Sequence, residues 1–213
     1  MAALERRRLG RPVATDSAET RKRLVKEAWR LFAIHGFDGA TNRAVADAVG
    51  ITPGAIYHYF PSKVELYVAA YREVQTLVAD AMESALVAAP DLGGRISALL
   101  DALGEVIASE PSLLGFVVGV AAESQQHPEL SAAIQRERTR TADVLARMCS
   151  EAVERDEVDD DVDAETLQDV LNAILSGMAR FAHVIDDPER QRRLREGLKA
   201  AFVGRLVRAP LTT

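Results

Sequence analysis

The chain reads as all-α, about nine helices arranged as a small first part and a larger second part. Three observations carry this. Apolar residues recur at three- and four-residue spacing along most of the 213 residues, and no run of alternating β-branched residues suggests a sheet. Gly36, Gly50, Pro61, Pro90, Pro111, Pro128 and Pro188 punctuate that pattern and cut it into helix-sized pieces. Charge divides the chain as well. Residues 1–65 hold eleven Lys and Arg against seven Asp and Glu, a balance of +4; the rest holds fifteen against twenty-five, a balance of −10. The overall −6 therefore hides a basic front and an acidic rear, and points to a polyanionic partner for the front alone.

Residues 1–16 lack apolar periodicity and contain a Gly-Arg-Pro break, so they read as a flexible basic arm able to add phosphate or minor-groove contacts. A first helix is expected from Asp16 or Ser17, both good caps, with Leu24, Ala28, Leu31 and Phe32 as its buried stripe. Trp29 lies off that stripe and should meet a neighbouring helix. Gly36 is placed to end the helix in a left-handed conformation, with His35 at its C-terminus.

Thr41 is the natural N-cap of a second helix that would bury Val45, Ala48 and Val49. Gly50 and Ile51 interrupt it, and a third helix begins at Thr52, Pro53 and Gly54, sending Ile56 and Phe60 to the same interior. Its other face carries Ala55, Tyr57, His58 and Tyr59, groups suited to touching a surface. Two short helices with a tight turn between them are a helix-turn-helix, whose second helix can enter a DNA major groove.

Ser62-Lys63-Val64-Glu65 has capping-box spacing, so a fourth helix should run to about Val87. After the Ala89–Gly94 loop, helices are expected over roughly 95–109, 112–125 and 128–155, with Pro128 at N1 of the last. The acidic run 155–163 reads as a solvated loop. It lacks the glycine turn and the final glutamate of a calcium-binding EF-hand. The last two helices are strongly patterned. Leu167, Leu171, Ile174, Met178, Phe181 and Ile185 form one stripe with small Ala173, Ser176 and Gly177 beside its centre, and Leu194, Leu198, Phe202 and Leu206 form another. Paired with the same helices of a second copy they would make a four-helix homodimer interface, assigned to Leu167, Leu171, Ile174, Gly177, Met178, Phe181, Leu194, Leu198 and Phe202. The alternative is that both stripes face their own core. The resulting division is 1–16 arm, 17–65 helix-turn-helix domain and 66–213 helical body.

Several classes fall away. The single Cys149 rules out an intrachain disulfide framework, and His35, His58, His127 and His183 are scattered without metal-ligand spacing, so no metal or cofactor is expected. No dinucleotide, P-loop or nucleophile-elbow motif is present, which argues against an enzyme. The longest apolar run, Leu113–Ala122, is far short of the roughly 20 residues a bilayer span needs, and residues 1–12 lack the apolar core of a signal peptide. No membrane partner is expected, and a cytoplasmic location is.

Thr20 to Leu66 resembles the DNA-binding domain of the TetR family of transcriptional regulators. The matching pieces are Ala28-x-x-Leu31-Phe32-Ala33-x-x-Gly36-Phe37, Thr41-x-x-x-Val45-Ala46, Val49-Gly50-Ile51, Ile56-Tyr57-x-Tyr59-Phe60 and Ser62-Lys63-x-x-Leu66. The resemblance implies a dimeric repressor that binds a palindromic double-stranded DNA operator and is released by a small molecule in a pocket of the C-terminal domain. It also implies DNA-contacting roles for Thr41, Asn42, Arg43, Thr52, Pro53, Gly54, Ala55, Tyr57, His58, Tyr59 and Lys63. Arg43 is the best candidate for a bidentate contact with a guanine edge, and Gly54 and Ala55 for close approach or a thymine methyl. Tyr57, Tyr59 and Lys63 are assigned to phosphates. Helices four to eight should surround the pocket, with Tyr71, Met82, Phe116, Val120, Glu123, His127, Met148 and Phe181 as its candidate residues and a hydrophobic ligand as its occupant. A DNA-binding protein controlled by a protein partner, or acting architecturally, would share the same first domain.

Overall fold

A computed structural model describes residues 13–87, 89–137, 139–185 and 187–205. The expected arm falls mostly on residues 1–12, outside the described residues. Among the described residues there are nine α-helices, one 3-10 turn and no strand.

Helix α1 (Val13–Gly39) starts earlier than its expected caps and breaks its helical geometry at Gly36, φ 68°. Leu24, Ala28 and Phe32 are buried as their spacing demands, and Trp29 is buried too. Helix α2 (Asn42–Val49) is capped by Thr41, whose hydroxyl accepts from Ala44 N–H, and it buries Val45, Ala46 and Val49. Ala48, expected inside, is exposed; Ala46 takes its place.

The expected third helix is only a 3-10 turn, Ala55–His58. Four residues are enough because Ile56 within the turn and Phe60 just after it plug the core, leaving Tyr57 and His58 outside.

Helix α3 (Lys63–Leu86) begins where Ser62 Oγ accepts from Glu65 N–H, and it is the long lever the sequence predicts. Helix α4 (Leu92–Ser109) starts three residues before its expected position because Asp91 caps Gly94. Helix α5 (Pro111–Gln126) matches its expected range to within a residue at each end. The single helix expected over 128–155 is two, α6 (Pro128–Gln135) and α7 (Arg140–Glu154). The reason lies in Thr139, which accepts from Ala142 N–H and opens a fresh helix. Helices α8 (Ala164–Val184) and α9 (Pro188–Arg205) complete the body.

Two cores form, and the first crosses the boundary at residue 65. The first gathers α1, α2, Ile56 and the first half of α3 around Phe32, Phe37 and Tyr67, and it takes Leu113 and Phe116 from α5 and Leu130 from α6. Tyr67 and Phe116 sit 4.9 Å apart at its centre. The second joins the end of α3 to α4, α7, α8 and α9. Glu110, at the α4–α5 corner, receives Lys26 Nζ at 2.7 Å and Arg30 at 3.4 Å. Those hydrogen bonds and charges hold its carboxyl below the usual range. The basic front is thus built into the body along α5.

Four of the nine residues assigned to a dimer interface face inward. Leu167, Leu171, Met178 and Phe202 are buried in the second core, with Ile174, Leu194 and Leu198 packed against it. A side chain a few per cent exposed in its own subunit has almost no surface left for another. Gly177, by contrast, is exposed, as are Ala173 and Ser176 on α8 and Gly197 and Ala201 on α9. The acidic run 155–163 is a loop that caps α8 through Asp163 and drops Val158 into the core.

Candidate nucleic-acid interface and effector cavity

The tight turn is made by Gly50. Its φ of 79° places it in the left-handed region, where glycine carries no Cβ penalty, and its N–H reaches back to Ala46 and Asp47 carbonyls. Ile51 N–H adds a bond to the Ala46 carbonyl at 3.0 Å. Arg23 closes the same end of α2 by donating to the Val49 carbonyl at 2.8 Å. The turn between the two reading elements is therefore fixed from both sides.

Outside this frame stand Thr41, Arg43, Thr52, Pro53, Gly54, Tyr57 and His58, all exposed. Ala55 and Asn42 are half-buried at the edge. Arg43 has 81% of its side chain exposed and only a loose pairing with Asp47, 3.7 Å. Such a surface pair contributes little, so the guanidinium is available to a partner. A Cβ on Gly54 would meet nothing within 4 Å, and its φ is ordinary for any residue. The fold itself does not ask for glycine there.

Two assigned residues are placed differently from the rest. Tyr59 is half-buried against the first core, so part of its ring is structural. Lys63 donates to the Asp38 carbonyl at 3.2 Å and lies 4.7 Å from the centre of the Phe37 ring. Desolvation lowers its pKa, opposed by Asp38 and Glu123. It therefore clamps the α1–α2 junction as well as standing at the edge of the reading face.

Glu123 and His127, named as effector contacts, belong to the same clamp. Phe37 N–H donates to Glu123 Oε1 at 2.8 Å, and a Cβ on Gly36 would come within 2.6 Å of that oxygen. The His127 ring lies 4.8 Å from Phe37. Gly36 thus answers two demands at once, a positive φ and a close carboxylate. The end of α5 grips the root of the reading head.

A mainly apolar cavity lies between the two cores, with a volume of about 280 Å³. Tyr71, Gln75, Val78 and Met82 line it from α3, Leu113, Leu114 and Val117 from α5, and Leu103, Val106 and Ile107 from α4. Thr139, Thr141, Ala142 and Leu145 at the start of α7, and Asn172, Leu175, Ser176, Met178 and Ala179 from α8, close the other side. Of the expected pocket residues only Tyr71 and Met82 are there. Phe116 is core, Glu123 and His127 hold the head, and Val120 packs against the first core. Met148 is second-core and lines a separate, smaller recess, while Phe181 lies against Arg190. The missed Gln75 and Val78 fall between Tyr71 and Met82 at spacings of four, three and four, a helical stripe readable in the sequence. The contributions of α4, α7 and α8 had no local signal.

Among the described residues no single helix is long and apolar enough to cross a membrane. Residues 24–70 match the model of bacterial regulatory proteins of the tetR family, and residues 94–198 match that of the tetracyclin repressor-like C-terminal domain. A helix-turn-helix transcriptional repressor of Mycobacterium tuberculosis is 30% identical over 181 residues, covering 81% of this chain and 87% of its own. The transcriptional regulator UidR of Escherichia coli is 23% identical over 193 residues, 89% and 94% of the two chains. Two solved structures share the fold with TM-scores of 0.73. A TetR transcriptional regulator of Chloroflexus aurantiacus, 23% identical, covers 92% of this chain and 100% of its own. A Saccharomonospora viridis protein in complex with choline, 20% identical, covers 90% and 100%. From the capped reading head to the helical body behind it, the chain belongs to the TetR family of transcriptional regulators, helix-turn-helix proteins that bind DNA.

Proposed function

We propose that this protein is a homodimeric repressor that binds a palindromic operator and leaves it when a small, mainly apolar ligand fills the cavity between its two cores. One observation carries the reading: the helices that wall the cavity are the helices that hold the reading head. Helix α3 contributes Tyr71, Val78 and Met82 to the wall and continues directly from Lys63 at the head. Helix α5 contributes Leu113, Leu114 and Val117, and its far end grips Gly36–Phe37 through Glu123. A ligand that favours a different setting of either helix therefore acts on the head as well, which is the differential affinity a switch requires.

On the DNA, Arg43 is the base reader, and Tyr57 and His58 add contacts from the 3-10 turn. Thr41, Asn42, Thr52 and Pro53 stand against the backbone, and Gly54 and Ala55 keep the approach close. Tyr59 and Lys63 reach phosphates from the edge. In the dimer, α8 and α9 pair through their exposed small faces, Ala173 and Gly177 with Gly197 and Ala201. A Cβ at Gly177 or Gly197 would meet nothing within 4 Å in the single chain, so the smallness there serves something outside it.

The test is the separation of the two heads, measured between spin labels placed on α2 of each subunit. Without ligand it should match one helical turn of DNA, about 34–36 Å. A ligand that releases the operator should change it. An identical separation with and without a releasing ligand would sink the switch.

A further inference from the structure

The cavity is not uniformly apolar, and four of its six polar side chains gather at one end. Tyr71, Gln75, Thr139 and Thr141 meet there, and Thr141 donates its hydroxyl proton to Gln75 Oε1 at 2.5 Å. That bond engages the amide oxygen and leaves the amide N–H₂ of Gln75 as the donor of the site. Apart from Asn172 and Ser176 on α8, the remainder of the wall is aliphatic, from Val78 and Met82 to Leu145 and Met178.

No charged side chain lines this cavity among the described residues. The cations nearest its polar end are already engaged. Arg72 holds Glu137 with two hydrogen bonds, and Arg140 holds Asp80 at 2.6 Å and Glu83 at 2.7 Å. The first turn of α7, which also faces the polar end, has Thr139 as its cap and Asp143 in its first turn, so its dipole is already opposed by a carboxylate. Tyr71 is the lone aromatic in the lining, too few for the multi-ring box that takes a quaternary ammonium. Burial and Glu137 both raise the Tyr71 pKa, so the phenol stays neutral and able to donate. An ion in this cavity would lose water and find no countercharge.

We infer that the cavity takes a small uncharged ligand, largely hydrocarbon, with one hydrogen-bond-accepting head such as a hydroxyl or an ester carbonyl seated at the Gln75 amide N–H₂, which Thr141 holds in place. This rests on the reading of the cavity as the effector site. At about 280 Å³ it falls just under the roughly 300–1,000 Å³ usual for ligand sites, which fits a ligand of modest size.

The experiment uses the full chain and three probes of equal chain length: 1-octanol, octanoate and octyltrimethylammonium, the last carrying the charge type of choline. Thermal denaturation is followed against probe concentration, since a ligand of the folded state raises Tm. 1-Octanol should raise Tm saturably, and each ion should need at least about tenfold more for the same shift, equivalent to about 1.4 kcal/mol. An ion as effective as the alcohol overturns the inference, and so does the absence of a shift with all three. Gln75→Leu and Thr141→Val keep the volume and remove the polar partners; each should weaken 1-octanol about three- to tenfold. Unchanged affinity in both overturns the placement of the head. Operator binding is read separately: the expected preference without any effect on DNA supports the ligand class and overturns the release mechanism.

Discussion

The reading head and the body behind it are built from the same material, helices with apolar stripes, but they are specified differently. Between Thr41 and Lys63 each backbone turn has a local cause: a threonine cap, a left-handed glycine, a serine cap, and two apolar plugs four residues apart. The cavity of the body has no such local author. Five helices meet around it, and residues as far apart in the chain as Tyr71 and Ala179 share its wall. A head specified locally keeps its shape as a unit, while a cavity assembled from distant helices is where a ligand can shift their packing. The contrast fits the proposed division between rigid reading and ligand-adjusted control.

The comparison is sharpest at the seam, and the largest effect is expected there. Phe116→Ala empties the centre of the core shared by head and body, and should cost about 3–5 kcal/mol in a denaturant melt. Head and body should unfold together; two separate transitions would break the claim that α5 welds them. Gly36→Ala comes next. Its positive φ and the oxygen 2.6 Å from the new Cβ should destabilise the chain by about 1–3 kcal/mol. Glu123→Ala in the same chain should recover part of that loss, and strict additivity would separate glycine from carboxylate.

On the reading face the effects move from stability to affinity. Arg43→Ala should cost about 1–3 kcal/mol of operator binding at one base position and leave the melting curve unmoved. An equal loss on every sequence would make Arg43 a phosphate contact. Lys63→Ala should weaken all sequences alike and lower the salt slope by about one unit. A fall in stability with an unchanged slope would mean that its bond to the Asp38 carbonyl is its whole role.

The smallest effect is a pH dependence in the body. Arg72 holds the Glu137 carboxyl below its ordinary value of 4.5, chiefly by hydrogen bonding, against a smaller desolvation effect. A depressed folded-state pKa gives stability that is present above the unfolded value and lost as pH falls through the folded one. The stability difference between the parent and Glu137→Gln should therefore be largest above 4.5 and vanish on the acid side. A difference that grows on acidification would reverse the assignment.

Helix order, most helix ends and the capped head with its exposed face were legible in the sequence, because caps, glycines and i, i+4 spacing act over a few residues. The break at Thr139 was legible in principle, since a threonine cap is a local signal and residues 135–141 carry no apolar side chain. What periodicity could not supply was direction. It identified the stripes of α8 and α9, and only packing against α4, α5 and α7 decided that Leu167, Leu171, Met178 and Phe202 face inward. Likewise Glu123 and His127 looked like pocket residues, and only the approach of α5 to Gly36 made them a clamp. The sequence by itself determined the elements and the exposed face of the head, because short-range hydrogen bonding and backbone freedom fix them. The tertiary structure alone decided which faces are core, where the cavity opens and what holds the head, because those depend on contacts between residues that the chain keeps far apart.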